Sequence, residues 1–339
     1  MALNPKLNVY VVTLNPKDKS SNPTYRDLFR TKYAVNTQVS DADVKKLFFK
    51  DFLNTIGTNT YRKDQKNKKV IGVSEYDNAS HNSSLSLLSD RDVIEGIIDG
   101  GQYGVLRALA NVDDKENKTT LAADNAVLDK FYICLCTPYN SKYGFLFIQS
   151  YTEMSIQESI YSFIRDVLKC DEEYFAVRIE PFVPQKFVNK YKETATIRMF
   201  SYRSKIGVSS VMRDNQTLLR GQAFNVEVKI TPIEDHFTPD TVSLEALKQA
   251  LAAKEFDGVE LGDYESQKIH VSDNNNHNAH FDITKDIQSI KPTIYLVDEG
   301  VEVNQETGQP VFSQIKTFVL SLLEEVKQEY NSYGEIDEL

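Results

Sequence analysis

Leu128-Asp129-Lys130-Phe131-Tyr132-Ile133-Cys134-Leu135-Cys136 and Tyr143-Gly144-Phe145-Leu146-Phe147-Ile148-Gln149-Ser150-Tyr151 read as the two strands of a β-hairpin, with residues 138–142 as its turn. Successive side chains of a strand point to opposite faces, so a half-buried strand alternates apolar and polar residues. Here Phe131 to Cys136 and Phe145 to Ile148 are continuously apolar. Both faces of the hairpin must then be covered, which places it at the centre of a sheet.

Upstream, residues 8–14 predict a strand rich in Val and Tyr. Val44, Leu47, Phe48, Phe52 and Ile56 recur at helical spacing over residues 41–56, and Gly57 supplies a stop. A basic polar linker at 61–69 leads to a strand at 70–76, and the Asn/Ser-rich residues 78–89 read as a loop. Residues 93–98 and 103–112 predict two strands around an Asp99-Gly100-Gly101 turn.

Downstream, Ser155-Ile156-Gln157-Glu158 has the form of a capping box, followed by the stripe Ile156, Ile160, Phe163, Ile164 and Val167. A strand at 174–183, a helix opened by Pro184 and a strand at 195–202 continue the pattern. This alternation with short connections argues for helices packed on a sheet. Strands at 224–231, 267–271 and 293–297 and a helix at 244–253 follow. Ile315, Phe318, Val319, Leu322, Leu323 and Val326 mark a last amphipathic helix. The expected fold is α/β or α+β, with mixed, largely antiparallel sheets and helices packed on their faces. Residues 1–151 are expected to form an N-terminal α+β domain ending in the apolar hairpin. Residues 152–339 are expected to form a C-terminal α/β domain carrying the terminal helix, unless the hairpin joins both into one extended sheet. The expected core includes Phe48, Phe52, Ile133, Leu135, Phe145, Phe147, Ile160, Ile164, Phe318 and Leu322.

Composition narrows the function classes. Among 339 residues, 41% hydrophobic content with 18 Phe and 18 Tyr can fill a core, which excludes a largely disordered chain. No apolar run approaches the roughly 20 residues of a membrane span. Residues 1–14 lack the apolar segment and cleavage site of a signal peptide. With only three cysteines and no export signal, the expected compartment is a reducing cytoplasm. A net charge of −10 disfavours indiscriminate binding to nucleic acid or anionic lipid, while leaving room for a local basic groove.

Five groups of residues are candidates for chemistry. Glu227-Val228-Lys229 lies on a predicted strand with Glu227 and Lys229 on one face, and Asp214 lies upstream. An Asp followed by Glu-x-Lys resembles the core of the restriction-endonuclease-like nucleases. That resemblance implies carboxylates binding Mg²⁺ and a lysine acting on the attacked phosphate. The competing reading is an amphipathic strand with Val226, Val228 and Ile230 inward. Lys186, Lys190, Arg198, Arg203 and Lys205, interleaved with Tyr191 and Tyr202, form the densest basic cluster, suited to phosphates or to plain solvation. Arg62, Lys63, Lys66, Lys68 and Lys69 with Tyr61 form a second. His270, His277 and His280 with Asp273 and Asp282 have metal-ligand chemistry but sit around a polar Asn-rich loop. Cys134 and Cys136, on one face of an apolar strand, read as small buried residues. The glycines at 100, 101 and 104 match no nucleotide-binding fingerprint. No cofactor is expected beyond the Mg²⁺ of the nuclease alternative.

Residues 128–205 combine a strand ending in Gln149-Ser150, an amphipathic helix, a strand around 177–182, a short helix and a strand around 196–200. This arrangement resembles that of poorly characterised bacterial proteins of abortive infection and phage defence. The resemblance implies a cytoplasmic bacterial protein acting with partner proteins or phage components, and it assigns no functional residue. The leading expectation is a binding or sensing component of such a system, with protein or nucleic-acid partners and no membrane. The alternatives are the metal-dependent nuclease and a structural, self-assembling homo-oligomer.

Overall fold

The computed structural model describes residues 4–18, 20–80, 82–114, 116–170, 174, 176–194, 196–207, 223–233, 241–256, 259–272, 278–282 and 292–334. The chain divides into two compact units, Met1–Phe182 with Ile294–Leu339, and Val183–Thr293. The boundary expected at Tyr151 falls inside the first unit, to which the C-terminal helix also belongs. The fold is a mixed α/β one with antiparallel sheets and helices packed against them.

The first unit runs β1 (Lys6–Thr13), α1 (Tyr25–Lys32), α2 (Asp41–Ile56), β2 (Arg62–Asp64), β3 (Lys69–Val73), β4 (Leu85–Leu88), β5 (Val93–Gln102), β6 (Arg107–Ala110), β7 (Lys118–Leu121), β8 (Val127–Cys136), β9 (Tyr143–Ser150), α3 (Gln157–Val167) and β10 (Arg178–Phe182). Its sheet has the order β10-β1-β9-β8-β5-β3-β2, with β4 also pairing β5. The hairpin β8–β9 is therefore central. Phe131, Ile133 and Leu135 enter a core shared with α1, α2 and α3. Tyr132, Cys134 and Cys136, on the opposite face, are equally buried.

Why the helices lie on that first face is visible in their side chains. Phe29 of α1 stacks on Phe48 of α2 at 4.2 Å between centroids, and Phe52 meets Phe163 of α3 edge-on at 4.7 Å. α2 is capped by Ser40 and stops at Gly57, whose φ of +100° favours glycine. α1 is opened by a true capping box, Thr24 with Asp27. Its acid at the third helical position is Asp, where the usual pattern has Glu or Gln. The box expected at Ser155 does not form. Ile156 is the N-cap, fully buried and without a side-chain cap bond, while Ser155 Oγ accepts from the Gln157 N–H at 3.3 Å.

Two further expectations are corrected. Gly100 and Gly101 do not turn the chain but lie inside β5. A Cβ on Gly101 would stand 2.0 Å from the Val127 carbonyl oxygen, and one on Gly100 would stand 2.7 Å from Ile156. Close approach to a neighbouring strand and helix, rather than a turn, requires glycine there. Residues 85–88, expected as loop, form β4, which shares one side of β5 with β3. Of the expected core residues only Phe318 is half-buried, and the others are buried.

After the second unit the chain returns as β17 (Ile294–Tyr295), numbered after the second unit's strands and paired with β1, and then as the terminal helix Phe312–Gly334, α6 below. α6 covers the second face of the sheet over β5 and β8 through Ile315, Val319, Leu322, Leu323 and Val326. It also reaches the one acid buried in that sheet. Glu95 is 3% exposed and accepts from Lys316 Nζ at 2.6 Å, Ser86 Oγ at 2.6 Å and Tyr132 OH at 3.1 Å.

The second unit contains α4 (Gln185–Thr194), β11 (Thr196–Gly207), β12 (Ala223–Ile230), α5 (Thr241–Ala252), a short pair β13 (Glu255–Phe256) and β14 (Val259–Glu260), β15 (Ser266–Ser272) and β16 (Asn278–Asp282). Its four-stranded sheet has the order β12-β11-β15-β16. Val188 and Tyr191 of α4, Phe200 and Tyr202 of β11, Leu261, Tyr264, Ile269 and Val271 form its core, with Leu247 and Leu251 of α5 against it. No described helix is long and apolar enough to cross a membrane.

The Glu95 cluster generates a stability prediction. Lys316→Ala leaves a buried carboxylate without its cation and should destabilise the protein by about 2 kcal/mol in chemical unfolding. Adding Glu95→Gln to that variant should recover most of the loss, because a neutral amide does not need the ammonium.

Candidate nucleic-acid interface

The second unit buries one face of its sheet and leaves the other polar. Along β11, Phe200 and Tyr202 point into the core, so Ser201, Arg203 and Lys205 occupy the opposite face. Register then places their neighbours. Ser201 pairs with Lys229 on β12 and with Lys268 on β15, and Arg203 pairs with Glu227. Four cations, Arg203, Lys205, Lys229 and Lys268, thus stand on three adjacent strands spaced about 4.8 Å apart.

Glu227 lies among these cations. Arg203 Nη2 is 3.3 Å from its Oε1, and Lys229 Nζ is 3.4 Å from its Oε2. Desolvation pushes its carboxyl up, but the hydrogen bond from Lys229 and the charges of Lys229 and Arg203 outweigh that and hold it below the usual carboxylate range. Glu227 therefore stays ionised and occupies part of the positive field of two neighbours. At the centre of the face, Ser201 Oγ and His270 Nε2 are 3.2 Å apart.

The five clustered cations of the sequence reading do not form one patch. Arg203 and Lys205 are on this open face. Arg198 is the extra residue of a bulge between Ile197 and Met199, where β11 shifts register against β15. Lys186 and Lys190 are exposed on α4, whose Val188 and Tyr191 pack under the other face, and Lys186 Nζ sits 5.1 Å from the Phe187 ring centre. Lys229 entered the sequence reading only as part of the Glu-x-Lys motif, and Lys268 was missed. Alternation of Gln267, Ile269 and Val271 inward would have placed Lys268 beside it.

Asp214, His277 and Asp273 lie outside the described residues. Glu227 and Lys229 do share an exposed face, as expected. His270 and His280 are directly paired across β15 and β16. Among the described residues no group of three or more His, Cys, Asp or Glu is placed to hold a metal ion. An open cleft of about 590 Å³ in the first unit is lined by Asp18 and Asp27, together with Lys17 and Tyr174. Its carboxylates already serve local structure, Asp18 accepting from Ser20 and Asp27 from Thr24. Cys134 and Cys136 are buried beneath α6, and burial pushes the Cys134 thiol well up and that of Cys136 up to about 12.

A thiol with so high a pKa stays protonated near neutrality and is a poor nucleophile. The native protein should therefore release about one equivalent of thionitrobenzoate from Ellman's reagent, from Cys170, and the other two only in denaturant. Fast reaction of three thiols in the native state would contradict the buried placement. No protein-family model matches any part of the chain, and a search of curated proteins finds no match.

Proposed function

We propose that this chain is a cytoplasmic binding component that takes nucleic acid on the open face of its second sheet, in a bacterial anti-phage setting of the kind that residues 128–205 resemble. The observation that carries the reading is the set Arg203, Lys205, Lys229 and Lys268 on adjacent strands. The unit's own charge balance supports it. Residues 183–293 hold 14 Lys and Arg against 15 Asp and Glu, whereas the whole chain holds 39 against 49. The acidic excess thus lies in the first unit, and the second can attract a polyanion locally. Among the described residues the face carries no Phe or Tyr ring, because Phe200 and Tyr202 are turned inward, and the His270 imidazole lies 3.2 Å from Ser201 Oγ. That favours contacts to phosphates over stacking of bases, and hence weak sequence preference.

A second reading is the Mg²⁺-dependent nuclease of Asp214, Glu227 and Lys229. It is favoured by the approach of Lys229 to Glu227 on an exposed face. One experiment separates the two, namely binding of labelled single-stranded and duplex oligonucleotides across a salt series, with cleavage followed in the presence of divalent metals. Four phosphate contacts should give a log–log salt slope of about −3 on single strands. Lys229→Ala and Lys268→Ala should each lower its magnitude by about 0.7. Glu227→Gln should tighten binding several-fold, since it frees Arg203 and Lys229. The nuclease reading expects the same substitution to abolish cleavage. Absence of binding at low salt, or binding insensitive to salt, overturns the binding proposal.

A further inference from the structure

His270 of β15 stands among the cations of the second unit's open face. It is half-buried, and its Nε2 lies 3.2 Å from Ser201 Oγ on β11. Ser201 is only 6% exposed, so its hydroxyl forms a floor against which the ring rests. A hydroxyl serves both protonation states of an imidazole, because it donates to a bare ring nitrogen and accepts from an N–H. The ring therefore keeps its place when it takes up a proton.

Register sets the charges around it. From β11 it meets Met199 and Ser201, which are uncharged. Lys268 is two residues away on the same face of β15. On β16 the position paired with His270 is His280, and Asp282 is paired with Lys268. Beyond β11, Lys229 of β12 is paired with Ser201 and Glu227 with Arg203. Lys268 and Lys229 oppose a further positive charge at this point until an anion enters among them. An imidazole ordinarily takes its proton near pH 6.5, whereas lysines stay charged throughout the neutral range and Glu227 is held below the usual carboxylate range. Of the described side chains on this face, His270 is thus the one whose charge a bound phosphate changes near neutrality.

We propose that His270 is a fifth phosphate-binding cation of this face, and that a nucleic-acid strand binds there together with a proton taken up by the imidazole. The inference rests on the reading of this face as a nucleic-acid interface. Binding and protonation then favour each other by the same factor. Anisotropy of a labelled oligothymidylate, whose bases stay neutral over the range, tests it on the full chain. The wild-type protein should bind at least about fivefold more tightly at about pH 5.5 than at about pH 8. Its log–log salt slope should grow in magnitude by about 0.7 on the acid side. His270→Gln should keep the alkaline affinity at both pH values. His270→Lys, a permanent cation, should reach the acid-side affinity of the wild type at either. His280→Gln should leave the pH profile in place. Calorimetry of the wild-type protein near neutrality, in two buffers of different ionisation heat, should show proton uptake on binding and needs no substitution. Salt-sensitive binding that is independent of pH, or accompanied by no proton uptake, overturns this inference and leaves the interface reading standing. So does a pH profile that survives His270→Gln or is lost in His280→Gln. Absence of binding in low salt at both pH values overturns the interface reading and this inference together.

Discussion

The first unit depends on one constraint, that β8 is apolar on both sides. Phe131, Ile133 and Leu135 need one covering layer, and Tyr132, Cys134 and Cys136 need another. At about 25 cal/mol per Å² of apolar surface, leaving either set in water would cost several kcal/mol, a large part of a domain's net stability. Helices α1 to α3 supply the first layer from chain near the strands they cover. α6 supplies the second from the far end of the sequence, which is why the unit is closed by residues after Ile294.

Covering the second face brings polar groups with it. Glu95 lies beside Cys134 in register and so has to point toward α6. Its carboxylate is satisfied only because Lys316, Ser86 and Tyr132 converge on it. The β8–β9 ladder, in turn, ends at Ile133 with Ile148, and the next free N–H, on Tyr132, donates to the Gln149 side chain at 3.1 Å. These are local solutions to one problem, since a polar group taken out of water must find its partner inside the protein.

The second unit solves the burial problem once rather than twice. α4 and α5 cover one face of its sheet, and alternation leaves polar side chains on the other. The candidate interface follows from that asymmetry. Charges accumulate on the uncovered face because they are excluded from the covered one, and strand register decides which of them become neighbours. Arg203 meets Glu227, and Lys229 flanks Ser201, through cross-strand pairing that sequence separation does not express.

The sequence by itself determined the elements whose signal is local. The continuous apolar hairpin, the stripe of α2 ended by Gly57, the terminal amphipathic helix and the alternation of Val226, Val228 and Ile230 are all legible, because side-chain period and turn chemistry act within a few residues. Only the tertiary structure decided the rest. It showed that Gly100 and Gly101 serve close packing against Val127 and Ile156, that Ile156 displaces a capping box by entering the core, and that Glu95 is paired with a lysine 221 positions away. It also separated Lys186 and Lys190 from Arg203 and Lys205 and placed Lys229 and Lys268 beside the latter two. Proximity along the chain says which residues are near in sequence. Which cations share a face depends on strand order and register, and those are set by the burial of side chains distant in the chain.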